Sequence, residues 1–189
     1  MTNMDKLYEA VEARGPVCVG LDTDFSYLPA DFVDSTLSKG ENIVRFNKKL
    51  IDATKAVAGC YKVQIAYYES LGLDGMRAYA ETLKQARATG LPVIADIKRG
   101  DIGSTATAYA EGWLSGASIE GQQFKSFDAD CVTLNGYMGS DSIKPFLEAA
   151  KAEDKCAFVL VKTSNPGSGE LQDAVSYTHL RAHETLANL

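Results

Sequence analysis

The residues with chemistry in them gather in one short stretch, Asp96-Ile97-Lys98-Arg99-Gly100-Asp101, which ends the apolar run Leu91-Pro92-Val93-Ile94-Ala95 in two acids and two bases. A buried strand stops here. Side chains alternate along a strand, so Asp96 and Lys98 share a face and hold a carboxylate beside an ammonium, a pair that can serve as one chemical unit. Gly100 permits a sharp turn and Asp101 adds a second carboxylate. Thr105 follows four residues later, on Asp101's side of an early helical turn. The plainer alternative is a solvated turn with a helix cap, because ion-pair networks at element ends are common and only sometimes functional. Two further charges stand out. Asp22 follows the apolar run Pro16-Val17-Cys18-Val19-Gly20-Leu21, where a turn or cap residue is the plain reading. Lys62 sits between apolar neighbours and, on the plain reading, snorkels past a sheet edge.

Positioning these groups takes a repeated unit. Helical patterning covers about 4–12, and the stretch with Ile43, Phe46, Leu50 and Val57 reads as a helix with an apolar core stripe, with Asn47, Lys48 and Lys49 between. Residues 61–69 read as a second strand, 74–89 as a helix, and 106–114 as another helix after the charged stretch. A fourth strand spans 128–135, a turn covers 136–139, and a helix runs through Ile143, Phe146, Leu147 and Ala150. A fifth strand spans 157–162. Strands that are nearly continuous in apolar residues and alternate with helices predict a parallel sheet with helices outside it. Function-like residues at the strands' carboxyl ends follow the logic of a (β/α)8 TIM barrel, of which about five of eight units are supplied, a whole barrel taking roughly 250 residues.

Composition narrows the class. With 189 residues, 46% of them hydrophobic, the chain can fill one sizeable core, and it has no apolar run long enough to span a bilayer. A net charge of -6 and the lack of any dense basic block argue against a nucleic-acid surface. The four cysteines, Cys18, Cys60, Cys131 and Cys156, are widely spaced and read as buried free thiols. The first residues have no signal-peptide character, and the expected compartment is the cytoplasm.

The string from Asp96 to Thr105 resembles the signature of the orotidine 5'-phosphate decarboxylases in their longer bacterial form, where Asp-x-Lys-x-x-Asp carries the active site. Residues 62–69 resemble that family's Lys-x-Gln-x-x-x-aromatic-Glu segment. Asn135-Gly136-Tyr137-Met138-Gly139 resembles its Asn-Pro-Tyr-Leu-Gly turn, with Gly136 in the proline's place, and Thr163-Ser164-Asn165-Pro166-Gly167-Ser168 matches a further loop. The resemblance implies loss of carbon dioxide from orotidine 5'-phosphate to give uridine 5'-phosphate, with no cofactor and no metal. Lys98, Asp96, Asp101 and Lys62 would be catalytic, with Lys62 pairing with Asp96 and bonding the ribose. Asp22 would hold a ribose hydroxyl and Ser164 the pyrimidine ring. Asp101 and Thr105 would reach into a second copy's site, so the implied assembly is a homodimer with shared sites. Gln64 and Glu69 match the pattern without an assigned role. The alternatives are a magnesium-dependent sugar-phosphate decarboxylase or aldolase of the same superfamily, against which the Ser164 loop speaks, and an inactive fragment with an open barrel edge.

The last residues change in character. From about Val175 the sequence, which contains both histidines, His179 and His183, resembles a translated library adapter rather than the family. The expected organisation is therefore a partial barrel domain over 1–174 and a non-native tail over 175–189. The loop and arginine that grip the substrate phosphate in the family find no match here, and impaired activity is expected.

Overall fold

A computed structural model describes residues 3–125 and 127–173. The first unit, residues 1–159, is built as repeated strand-then-helix steps. Helix α1 (Asn3–Arg14) precedes β1 (Cys18–Gly20), and α2 (Lys39–Thr54) leads to β2 (Cys60–Gln64). A short helix α3 (Ala66–Glu69) and a long α4 (Gly72–Arg87) then lead to β3 (Val93–Arg99). Helix α5 (Gly103–Ala110) runs into a π turn over Glu111–Ser115, followed by the hairpin β4 (Ala117–Ile119) and β5 (Gln122–Phe124). Strand β6 (Cys131–Asn135), helix α6 (Ser140–Ala152) and β7 (Cys156–Leu160) complete the sheet.

The sheet order is β1-β2-β3-β6-β7, and the pairings β1–β2, β2–β3 and β3–β6 are parallel. Apart from the inserted antiparallel hairpin β4–β5, spatial order follows chain order. That is single winding, as in a barrel, and not the order reversal of a doubly wound sheet. The side of the sheet carrying Tyr61, Val63, Val93, Ala95 and Val132 is buried in the core with Ile43, Tyr68, Tyr79, Leu83 and Phe146. Lys62 and Gln64, which alternate with Tyr61 and Val63, stay half-buried on the other side.

Local chemistry fixes the helix ends. Ser38 and Glu41 form a capping box at the start of α2. The Asp74 carboxylate accepts hydrogen bonds from the Gly40 backbone and the Ser38 hydroxyl, tying the starts of α2 and α4 together. A methyl group at Gly40 would lie 2.7 Å from the Asp74 carbonyl, so this approach requires glycine.

Several expectations are corrected. The second strand ends at Gln64, and 66–69 turn into α3. Asn47, read as lying outside the apolar stripe, is wholly buried at 0% exposure, whereas Val57 lies past the end of α2 and is 60% exposed. Cys131 and Cys156, on neighbouring β6 and β7, are joined in a disulfide with Cα atoms 4.6 Å apart. Only Cys18 and Cys60 are free thiols, and Cys18 is exposed. The hairpin β4–β5 interrupts a stretch whose sequence pattern predicts no strand. The tail from Val175, with both histidines, lies outside the described residues.

The second unit, residues 160–189, is described through residue 173. Its loop holds a 3-10 turn over Pro166–Ser168 and a short α7 (Gly169–Gln172). The Gln172 side chain pins it, accepting from the Thr163 backbone at 2.7 Å and donating to the Thr163 hydroxyl at 2.8 Å.

Candidate active site

Register brings the charged residues together. Gly20 pairs with Lys62, Lys62 with Ile94, and Gln64 with Asp96, so Lys62, Gln64 and Asp96 stand on one face of adjacent strands, with Asp22 just past the end of β1. The Lys62 ammonium lies 2.9 and 3.1 Å from the two Asp22 carboxylate oxygens and 3.4 Å from Asp96 Oδ2. Lys98 Nζ lies 2.7 Å from Asp96 Oδ1. The result is a chain of alternating charge, Asp22, Lys62, Asp96, Lys98.

Asp96 is the node. Its Oδ1 accepts from Lys98 and from the Thr133 hydroxyl at 2.8 Å, and its Oδ2 accepts from Gln64 Nε2 at 2.9 Å. Desolvation pushes this carboxyl upward. The hydrogen bonds from Lys98 and Thr133 and the charges of Lys98 and Lys62 outweigh it and hold the carboxyl below its ordinary range. Burial likewise pushes the Lys62 ammonium down, but its bond and attraction to Asp22 and its attraction to Asp96 leave it above its ordinary value. Asp96 is thus held charged chiefly by Lys98 and Thr133, and Lys62 chiefly by Asp22.

A buried polar cluster supports the β1 end. The Thr23 hydroxyl donates to Asn47 Oδ1 at 2.6 Å, Asn47 Nδ2 donates to the Tyr68 hydroxyl at 2.8 Å, and Tyr68 donates to the Leu21 carbonyl at 2.9 Å. Asp22 is thus bracketed by two residues tied to one asparagine. At the far side, Arg99 pairs with Glu69, which gives that sequence match a structural partner.

Asp101 and Thr105 make no hydrogen bond or ion pair with this cluster among the described residues. The Asp101 carboxylate accepts the Ile102 backbone N–H at 2.8 Å, and Thr105 is exposed on α5. Ser164 is exposed on the loop of the second unit. Gln64, Thr133, Asn47 and Tyr68 join the site through contacts that the sequence pattern does not announce. The available signal for Thr133 was one polar residue inside the apolar run of β6, with period 2 placing it on the Asn135 face. Among the described residues, no group of three or more His, Cys, Asp or Glu comes together as a metal site, and no helix is long and apolar enough to cross a membrane.

Comparison with known proteins bears on the family and the fold. Residues 15–188 match the family model described as orotidine 5'-phosphate decarboxylase / HUMPS family. The chain is 48% identical over 169 residues to the orotidine 5'-phosphate decarboxylase of Clostridium botulinum, covering 89% of this chain and 56% of the relative. It is 46% identical over 181 residues to that of Clostridium novyi, covering 96% of this chain and 60% of the relative. A crystal structure of a Streptomyces avermitilis protein assigned to the same activity superposes with a TM-score of 0.79 at 36% identity, over 94% of this chain and 59% of that one. The chain therefore spans little more than half the length of the relatives it matches, and its parallel strands with their helices are part of a (β/α)8 barrel of this kind.

Proposed function

The chain belongs to the orotidine 5'-phosphate decarboxylase / HUMPS family, and from that premise we propose that its protein removes carbon dioxide from orotidine 5'-phosphate to give uridine 5'-phosphate in pyrimidine biosynthesis. The family description joins two activities, and the relatives at 46–48% identity carry the name of the first. The observation that carries the reading is the Asp96 carboxylate held ionised between two ammonium groups at the carboxyl ends of β2 and β3.

In this mechanism Asp96 lies against the substrate carboxylate. Like-charge repulsion disfavours the bound ground state and is relieved as carbon dioxide leaves. The bond between the ring carbon and the carboxyl carbon breaks with its electron pair left on the ring. The Lys98 ammonium stabilises that charge and donates a proton to the same carbon, and the amine then regains a proton from water. Lys62 and Asp22 hold the ribose, and Ser164 holds the pyrimidine ring. Asp101 and Thr105 serve the site of a second copy, which makes the assembly a homodimer. The reaction uses no cofactor or metal and takes place in the cytoplasm.

The test is uridine 5'-phosphate formation by the protein carrying this sequence, beside its Lys98→Ala and Asp96→Asn variants. Each substitution removes a group that acts on the reacting centre, so kcat should fall by roughly a hundredfold or more. Turnover by Lys98→Ala within a few-fold of the unmodified protein would overturn the assignment.

A further inference from the structure

Strand β3 departs from regular pairing where its chemistry begins. Ala95 pairs with Val132 and Arg99 with Leu134, so Asp96, Ile97 and Lys98 together face the single residue Thr133. Lys98 has a φ of +48°, in the left-handed region that a long side chain rarely adopts. Such a conformation persists only where the surroundings hold it. The irregularity also removes the regular ladder partner of the Lys98 N–H, which must then be satisfied in another way.

One hydroxyl meets both needs. Thr133 Oγ1 accepts the Lys98 backbone N–H at 3.0 Å and donates its own proton to Asp96 Oδ1 at 2.8 Å. A group that accepts from one and donates to the other fixes the backbone of the lysine relative to the carboxylate of the aspartate. The resulting geometry sets Lys98 Nζ 2.7 Å from the same Oδ1. A β-branched residue suits this position, since its χ1 freedom is small and its methyl group can pack within the strand.

We propose that Thr133 is a positioning residue of the site, its hydroxyl setting the Asp96 carboxylate and the Lys98 backbone in one register. The proposal rests on the decarboxylase reading for its effect on rate, but its effect on Asp96 is independent of that reading. The charged groups facing Asp96 are Lys98 from its own strand and Lys62 from β2, with Asp22 behind Lys62. Gln64 and Thr133 face it as neutral donors.

Two readouts test this in the full chain: titration of the Asp96 carboxyl by carbon-13 NMR, and steady-state orotidine 5'-phosphate turnover. Thr133→Val keeps the side-chain shape and removes the hydroxyl. Asp96 should then titrate at higher pH, and kcat should fall roughly tenfold to a hundredfold with KM little changed, as expected for misplacement by a fraction of an ångström to one ångström. Thr133→Ser should restore both. Thr133→Ala, which removes the hydroxyl at a different volume, supplies the same comparison if the valine variant does not fold. An unmoved Asp96 titration, a serine variant as impaired as valine, or a change confined to KM would overturn the proposal. So would failure of both valine and alanine variants to fold while serine folds, since the hydroxyl's role would then be stability. If the unmodified protein releases no carbon dioxide, the functional reading fails while the Asp96 titration still decides the role of Thr133.

Discussion

Replacing Asn47 with alanine should cost far more than an average helix substitution, because this residue joins the site's β1 end to the core. It is 0% exposed, accepts from Thr23 at 2.6 Å, and donates to Tyr68 at 2.8 Å and Thr82 at 3.1 Å. Three hydrogen bonds at a net of about 1 kcal/mol each contribute about 3 kcal/mol. The truncation also leaves a small cavity and strands the Thr23 hydroxyl, which brings the expected loss to about 3–4 kcal/mol. Urea unfolding followed by the fluorescence of Trp113, the only tryptophan, measures it as a lower midpoint at unchanged slope. Thr23→Val should cost about 1 kcal/mol alone and much less in the Asn47→Ala background, because the two substitutions remove a shared bond. A loss under about 1 kcal/mol for Asn47→Ala, or strict additivity with Thr23→Val, would refute the view that the cluster acts as one unit.

Lys62→Met should cost about 1–2 kcal/mol at neutral pH, between the ranges for exposed and buried ion pairs. Asp96 is held below its ordinary value, so its contribution to stability is present above the unfolded carboxyl pKa and is lost as pH falls through the folded one. Removing Lys62 raises that folded value, and the gap between variant and parent in urea midpoints should therefore close in acid. A pH-independent gap would contradict the linkage. Gly100→Ala places a Cβ 2.6 Å from the Asn135 carbonyl and should cost about 1–3 kcal/mol by overpacking, read from the thermal midpoint, which an unchanged midpoint would refute. The Cys18 thiol is brought down to about 7, foremost by its hydrogen bond with Cys60 and further by the charge of Lys62, against the opposing effect of burial. Its alkylation by iodoacetamide should show a midpoint near that value and move to higher pH in Cys60→Ala; a midpoint that stays put would rule out the thiol pair.

The strands and their order were legible because buried parallel strands leave apolar runs, and the end of a run locates the rim. Asp96, Lys98 and Lys62 stand out there by residue type, and the resemblance to the family supplies their roles. What could not be read was set by register, since no local pattern says that Gln64 lies opposite Asp96 or that three residues of β3 face Thr133 alone. Asn47 was misplaced for a related reason. The periodicity of α2 correctly marks Ile43 as core, but a buried amide that satisfies three hydroxyls carries no apolar signal. The hairpin β4–β5 escaped because Ser118, Gln122 and Gln123 give its short strands no hydrophobic alternation.

The same dependence on register explains how the site keeps its charge. A carboxylate whose side chain is 9% exposed is pushed by desolvation toward the neutral acid. Four donors oppose that push, Lys62 and Gln64 from β2, Lys98 from β3 and Thr133 from β6. No one strand supplies enough of them, so keeping Asp96 ionised despite its burial is a property of the assembled sheet and of no single local segment. On the proposed mechanism this matters directly, because an anion fixed where the substrate carboxylate must bind can store repulsion only if the fold, and not the substrate, holds it charged. The supports behind it, Thr133 on one side and the Asn47 cluster acting through Asp22 and Lys62 on the other, then belong to the chemistry as much as to the core. Loosening either should reduce catalysis before it unfolds the protein, since a displacement of about an ångström costs on the order of a hundredfold in rate.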